Sequence, residues 1–406
     1  MSKELVYLDH AATTPLKAEV LSEMLPYMKN YFGNASSVYE IGRESKKAIE
    51  AARQKTADAI NANINEIYFT SGGTESDNWA LRGTAYAFRD KGKHIITSAI
   101  EHHAVLDTLK QLQKEGFEVT YLSVDATGII DLPQLAKAIR NDTILISIMY
   151  ANNEIGTIQP IEDIGRIAKE RGILFHSDAV QAVGSIDVDV KASGIDLLSI
   201  SAHKFYGPKG VGALYVRQGV KLENLLCGGS QEKRKRPGTE NVPGIVGLGK
   251  AVELALQDLP QKRGHIEKLR DKTINHILKT VPFSRLNGHR SSRLPGNANF
   301  SFDFVEGESI LMLLDKNGIA ASSGSACASG SLDPSHVLIA MGLAHEKAHG
   351  SLRLSIGYEN TENDVDILLK ILPETIAALR QYSSLYQALK RPNTTAADSD
   401  SSPLEI

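Results

Sequence analysis

Between residues 66 and 217, seven short apolar runs alternate with longer stretches of helical spacing, and this alternation leaves few folds open to the chain. The runs fall at about 66–70, 94–98, 119–124, 143–150, 173–176, 197–201 and 212–216. Helical spacing lies around them: Ile49, Ala52, Thr56 and Ile60 ahead of the first run, and Ile161, Ile164 and Ile167 after the fourth. β-Branched strands alternating with helices predict a mostly parallel α/β sheet covered on both faces.

A second region begins near Leu259-Pro260. It carries a helix over about 262–280, strands over 298–304 and 352–356, and a closing helix N-capped by Thr361 with Asp364 three residues on. The 406 residues therefore divide into an N-terminal segment (1–15) packing with the small domain, a large domain (16–257), a small α+β domain (258–390) and a tail (391–406). The tail is rich in Ser, Thr, Asp and Pro and reads as disordered.

A formal net charge of −3 gives no global attraction to nucleic acid or membrane. No apolar run approaches the length of a membrane-spanning helix, and the acid-bearing start, Met1-Ser2-Lys3-Glu4-Leu5, does not resemble a secretory signal. Two cysteines, Cys227 and Cys327, cannot build a disulfide framework, so a reducing cytoplasm is expected.

Polar clusters follow the apolar runs: Thr70-Ser71-Gly72-Gly73-Thr74-Glu75, Glu101-His102-His103, Asn152-Asn153-Glu154, Ser177-Asp178-Ala179-Val180-Gln181 and Ser201-Ala202-His203-Lys204. Open α/β sheets bind ligands beyond the carboxyl ends of their strands, so five such clusters converge on one cleft. The Gly72-Gly73-Thr74 turn opens a helix and suits a phosphate, through close backbone approach, outward amides and the helix dipole. It is neither a Walker loop nor a GxGxxG fingerprint. Lys204, just past an apolar strand, is desolvated enough to offer free amine for an imine. Asp178 supplies a carboxylate able to keep a pyridine nitrogen protonated, with Gln181 one helical turn on to grip a ring hydroxyl. A phosphate cradle, an imine lysine and a nitrogen carboxylate together describe a pyridoxal-phosphate site.

Cys327 lies in Ala321-Ser322-Ser323-Gly324-Ser325-Ala326-Cys327-Ala328-Ser329-Gly330-Ser331, a run of small residues with little to bury, and reads as a working thiol on a mobile segment. Cys227, in Leu-Leu-Cys-Gly-Gly-Ser, reads as a packing residue. His345-Glu346-Lys347-Ala348-His349 matches HExxH letter for letter, but Gly342 and Gly350 bracket it too closely for the long helix a zinc site needs. No metal is expected.

With those residues in hand, the chain resembles the NifS/IscS-type cysteine desulfurases, fold-type I PLP-dependent transferases. The resemblance runs from YLDHAATTP, starting at Tyr7, to about Tyr358, through SGGTESDN, EHHAV, ANNEIGTIQP, SDAVQAVG, SAHKFYGPKG, RPGTENVPG and SSGSACASGSLDPSHVL. The long small-residue stretch around Cys327 is similar to the first group of these enzymes. The resemblance implies pyridoxal 5'-phosphate as cofactor, Lys204 as its Schiff-base lysine, and Cys327 as persulfide carrier. It also implies that His102 stacks on the ring and moves protons, that Asp178 holds the ring nitrogen, and that Gln181 holds the ring hydroxyl. Gly73, Thr74, Ser201 and His203 would hold the phosphate. Asn153 would sit by cofactor and substrate, and Arg353 would pair with the carboxylate of L-cysteine. Thr239 would reach the phosphate of the neighbouring subunit, which implies a homodimer. The expected partner is a sulfur acceptor, an iron–sulfur scaffold or a tRNA thiolase. A selenocysteine lyase, an aminotransferase and a non-catalytic sulfur-relay protein are the rival readings. Residues 228–236 depart from the group's GGGQERGRR pattern, and their basic run is read as a dimer-contact hairpin, with a weak RNA-facing patch as the alternative.

Overall fold

The computed structural model describes residues 5–323 and 334–390. Its strands are β1 (Val6–Tyr7), β2 (Ile67–Thr70), β3 (His94–Ser98), β4 (Glu118–Leu122), β5 (Thr143–Ser147), β6 (Leu174–Asp178), β7 (Leu197–Ser201), β8 (Gly212–Val216), β9 (Ser284–Asn287), β10 (Asn297–Phe302), β11 (Ile319–Ala320) and β12 (Ser351–Ser355). Seven form one sheet in the order β2-β8-β7-β6-β5-β3-β4, in which only β8 runs against its neighbours. This is the α/β architecture of the fold-type I transferases, a mostly parallel sheet flanked by helices.

Burial explains the near-continuous apolar runs. Every residue of β3, β5, β7 and β8 is buried, because helices cover both sheet faces. Side chains alternate between two cores. Ile96, Ile146, Leu198 and Ala213 pack on one side with Ile49 and Leu248, whereas Ile95, Leu145, Leu197 and Leu214 pack on the other with Trp79. The edge strand β4 is mostly solvated, in keeping with its mixed sequence.

Strand ends differ from the sequence expectation at several places, β4 among them, which ends at Leu122 and not at 124. The strand β5 ends at Ser147 and not at 150: Ile148 and Tyr150 still donate to the His176 and Asp178 carbonyls of β6, but the Met149 amide turns to the Glu101 carboxyl. β6 continues to Asp178, whose backbone pairs with Ser199, so this carboxylate stands on a strand and not in a loop. β10 ends at Phe302, two residues short of the expected limit, before a turn through the left-handed Phe304.

The remaining strands serve the second core. β9, β10 and β12 form an antiparallel sheet in the order β12-β10-β9, backed by the helices Leu259–Thr280 and Glu362–Gln381. Thr361 and Asp364 make the expected reciprocal cap, at 3.3 and 2.8 Å. The N-terminal strand β1 pairs in parallel with β11, and Val6 and Leu8 enter this second core. The next residues, Asp9 to Thr14, cross to the large sheet, where the hydroxyl of Thr14 donates to the His203 carbonyl at 2.9 Å. His345–His349 is a five-residue helix with His345 exposed, and no His, Cys, Asp and Glu group among the described residues could hold a metal. No helix among them is long and apolar enough to cross a membrane.

Candidate active site at the strand ends

β2 ends at Thr70, and the chain turns through Gly72 into the helix Gly73–Phe88. Gly72 has φ 152° and ψ −176°, a region that side-chain-bearing residues rarely adopt. At Gly73 space decides: a Cβ there would stand 2.7 Å from a Val180 methyl. Ser76 fixes the turn from within, its hydroxyl reaching Thr70 Oγ1 at 2.8 Å and the Ala213 carbonyl at 3.1 Å. The first-turn amides have no carbonyl in a preceding turn to bond, so they present partial positive charge. Ser201 at the end of β7 and His203 just beyond it face the same space as Thr74. His203 bonds Thr13 Oγ1 at 3.1 Å, and burial, aided by Lys204 and Lys209, lowers its pKa to about 4, so the ring is neutral.

Lys204 stands at the end of a single 3-10 turn, Ala202–Lys204, directly after β7. Its ammonium donates to the carbonyls of Ala11 at 2.7 Å and Ala12 at 2.8 Å. The Gln181 amide donates to the same Ala11 carbonyl at 3.0 Å. Asp178 accepts the Val180 amide at 2.9 Å, and burial pushes its carboxyl upward against the opposing pull of His102, that amide and Lys204. His102 caps the helix His103–Lys114: its Nδ1 accepts the Ala104 amide at 3.1 Å. A ring nitrogen that accepts an amide proton carries none itself, so the neutral imidazole holds its proton on Nε2. Burial holds the His102 pKa below the ordinary value, which favours that neutral form.

Arg353, on β12, is the contribution of the three-stranded sheet. It is 2% exposed, with Nη2 on Asp9 Oδ1 at 2.9 Å and Nη1 on the Asn153 carbonyl at 3.2 Å. Its Nε is buried without a hydrogen-bond partner among the described residues. A planar guanidinium that lines a cavity suits a carboxylate. One cavity of about 310 Å³ is lined by Gly73, Thr74, His102, Asn153, Asp178, Gln181, Ser201, His203, Lys204 and Arg353.

Two sequence candidates lie elsewhere. Thr239 is exposed and does not line this cavity. Cys327 lies outside the described residues. Cys227 is exposed, which corrects the expectation of a packing residue. Its leucine neighbours suggested a core, but the segment runs over the surface with Leu226 also 45% exposed. Residues 232–236 form no hairpin. Glu232, Lys233 and Arg234 adopt a left-handed turn, with Glu232 buried against Arg53.

Sequence reasoning missed the Ala11 and Ala12 carbonyls, which carry no side-chain signal, and three buried carboxyls. Asp77 lines the cavity and is raised by burial and by Asp178. Glu101 accepts Ser98 Oγ at 2.5 Å and the Met149 amide at 3.0 Å, and burial raises it to about 8. Glu154, raised by burial to about 7, accepts Ser335 Oγ at 2.5 Å. All three stood inside quoted motifs, but nothing in a sequence tells a buried carboxyl from a solvated one.

The cavity fits pyridoxal 5'-phosphate. Glycine-lined amides, Thr74 and Ser201 suit a phosphate, the buried carboxyl of Asp178 suits a ring nitrogen, and Lys204 supplies the amine. Such a cleft at the carboxyl ends of a mainly parallel sheet defines a fold-type I pyridoxal-phosphate enzyme, and the chain belongs to the Aminotransferase class-V family, whose model matches residues 6–368. Within that family it belongs with the cysteine desulfurases. It is 61% identical over 380 residues to Cysteine desulfurase IscS of Methanosarcina thermophila, covering 94% of each chain. To Cysteine desulfurase IscS of Clostridium botulinum it is 56% identical over 389 residues, 95% of this chain and 98% of the relative. Among solved structures, a NifS-like protein superposes with a TM-score of 0.87 at 40% identity, covering 92% of this chain and all of the other. SspA in complex with cysteine gives 0.77 at 39% identity, covering 87% of this chain and 99% of the other.

Proposed function

We propose that the protein takes sulfur from L-cysteine, releases L-alanine and carries the sulfur as a persulfide on Cys327, with the cavity residues in the roles their chemistry suggests. The observation that carries this reading is the single cavity shared by Lys204, Asp178, His102 and Arg353. Pyridoxal 5'-phosphate, bound there, supplies an electron sink for the charge left when a proton leaves the substrate α-carbon. Gly73, Thr74, Ser201 and His203 would hold its phosphate, Asp178 its ring nitrogen and Gln181 its ring hydroxyl.

Arg353 orients the substrate by its carboxylate, with Asn153 beside it, and Lys204 Nζ takes the α-proton. His102, neutral with its proton on Nε2, would lie against the ring and pass protons. The Cys327 thiolate attacks the substrate sulfur. A sulfur–sulfur bond forms, the carbon–sulfur bond breaks with its electron pair left on the substrate β-carbon, and proton uptake there, with return of the α-proton from Lys204 to the α-carbon, gives alanine. Thiolate formation needs adjacent charge or a proton acceptor, and His102 serves as one only after it has given up the proton on Nε2. Support for Cys327 comes from the described residues flanking its segment. Ser322 exchanges backbone hydrogen bonds with Arg353 at 2.7 and 3.2 Å, and Ser335 donates to Glu154, so both flanks are tied to residues that line the cavity or adjoin one that does.

The working unit in this reading is a homodimer, with Thr239 reaching the phosphate of the neighbouring site. Thr239 is exposed, and Phe32, Val38, Tyr39 and Leu226 leave large apolar side chains in solvent that a second copy would cover. The persulfide passes to an acceptor protein, an iron–sulfur scaffold or a tRNA thiolase, in a reducing cytoplasm, without membrane or nucleic-acid contact. Lys204→Ala tests the assignment. The purified variant is expected to lose the visible absorbance of the lysine-linked cofactor and all alanine production, and full activity would refute the reading.

A further inference from the structure

The segment that carries Thr239 is held in a way its own cavity does not need. Three consecutive non-glycine residues, Glu232, Lys233 and Arg234, have φ of 42°, 58° and 66°. Such backbone persists only where surrounding contacts over-determine it, and it concentrates at functional positions. Here the contacts are two carboxylate–guanidinium forks. Glu232, buried, takes Arg53 Nη1 and Nη2 at 2.7 Å each, and also accepts the Phe69 amide of β2 at 2.8 Å. Arg236 reaches Glu75 with Nε at 2.8 Å and Nη2 at 3.1 Å. Planar bidentate pairs of this kind fix orientation as well as position.

Glu232 and Arg236 each reach the unit that builds the phosphate cradle, the first through the Phe69 amide and the second through Glu75. Phe69 is in β2, which feeds the Gly72 turn, and Glu75 is the third residue of the helix whose first amides face the cavity. Glu75 Oε2 also accepts the Ser71 amide at 2.7 Å, so one carboxylate fastens the cradle turn and Arg236 together. Three residues beyond Arg236 stands Thr239, which does not line its own cavity.

We propose that Glu75 is a positioning residue that couples the two cofactor sites of the dimer: through Arg236 it sets Thr239 for the partner's phosphate from the turn that seats its own. This rests on the shared-site reading above and adds to it a connection between the sites. Coupling of this kind is a free energy measurable from either end.

The test is a double-mutant cycle on the dissociation constant of pyridoxal 5'-phosphate, measured by visible absorbance on reconstituted dimers of verified mass. Thr239→Ala removes a hydrogen bond to a charged group and should weaken cofactor binding about tenfold or more. Glu75→Gln, which keeps an oxygen for the Ser71 amide, should weaken it about as much. If Glu75 acts through Thr239, the double variant binds no more than about threefold worse than the weaker single variant. Arg236→Gln leaves the Ser71 contact untouched and should behave as Glu75→Gln does, and it carries the cycle if Glu75→Gln misfolds. Multiplying losses in the double variant, or wild-type affinity in Glu75→Gln and Arg236→Gln, would overturn the coupling while leaving the shared site standing. Wild-type affinity in Thr239→Ala would remove the shared-site reading and the coupling with it.

Discussion

The two walls of the cleft are built by different means. The large-domain wall is a row of strand ends, where buried apolar strands stop and short turns expose amides, a lysine and a carboxylate at fixed spacing. The small-domain wall offers a side chain from the middle of a strand: Arg353 on β12, held by Asp9 of the N-terminal segment and by the Asn153 carbonyl. Many weakly specific groups on one side suit a cofactor that stays. A single planar donor on the other suits a substrate that comes and goes. The N-terminal segment joins the two, since Asp9 holds Arg353 while Ala11 and Ala12 hold Lys204.

That division can be broken from either side. The largest effect is expected from Cys327→Ser, which should bind cofactor and L-cysteine yet release alanine only at background, because a serine hydroxyl stays protonated and cannot take the sulfur. Normal alanine release would assign the chemistry wholly to the large-domain wall. Next, Arg353→Gln should raise KM for L-cysteine about a hundredfold, the scale of a lost hydrogen bond to a charged group, with cofactor affinity nearly unchanged. Equal losses in both would mean that the walls do not divide the work.

A smaller effect concerns the protons stored below the large-domain wall. Glu101 is raised by burial to about 8, above its value in the unfolded chain, so the native state holds a proton that the unfolded state has released. The sign follows: this contribution to stability is complete below about pH 4.5 and is lost as pH rises through 8. Glu101→Gln imitates the neutral acid, so its stability relative to wild type should climb across that window, at up to about 1.4 kcal/mol per pH unit. Urea unfolding of both proteins at several pH values reads this difference, and a flat one would show Glu101 ionised in the fold.

Most of the large-domain wall was legible in the sequence because its signals are local. An apolar run, a glycine turn or a lysine just after a strand can each be read within ten residues, and Lys204, Asp178 and Gly73 line one cavity. Arg353 carried no such signal in its apolar strand and was found only through resemblance to a family. The Ala11 and Ala12 carbonyls were invisible, since backbone acceptors distant in sequence meet Lys204 only through the fold. Cys227 misled because its leucine neighbours look the same whether a core or solvent receives them.

The central claim is that the sulfur crosses from the large-domain wall to one thiol, and the chain's two cysteines make this directly measurable. Wild-type protein, exposed briefly to L-cysteine and digested without reductant, can be examined by peptide mass spectrometry. The account predicts the added mass of one sulfur atom on the peptide containing Cys327 and none on the peptide containing the exposed Cys227. Sulfur on Cys227 with Cys327 unmodified would contradict it.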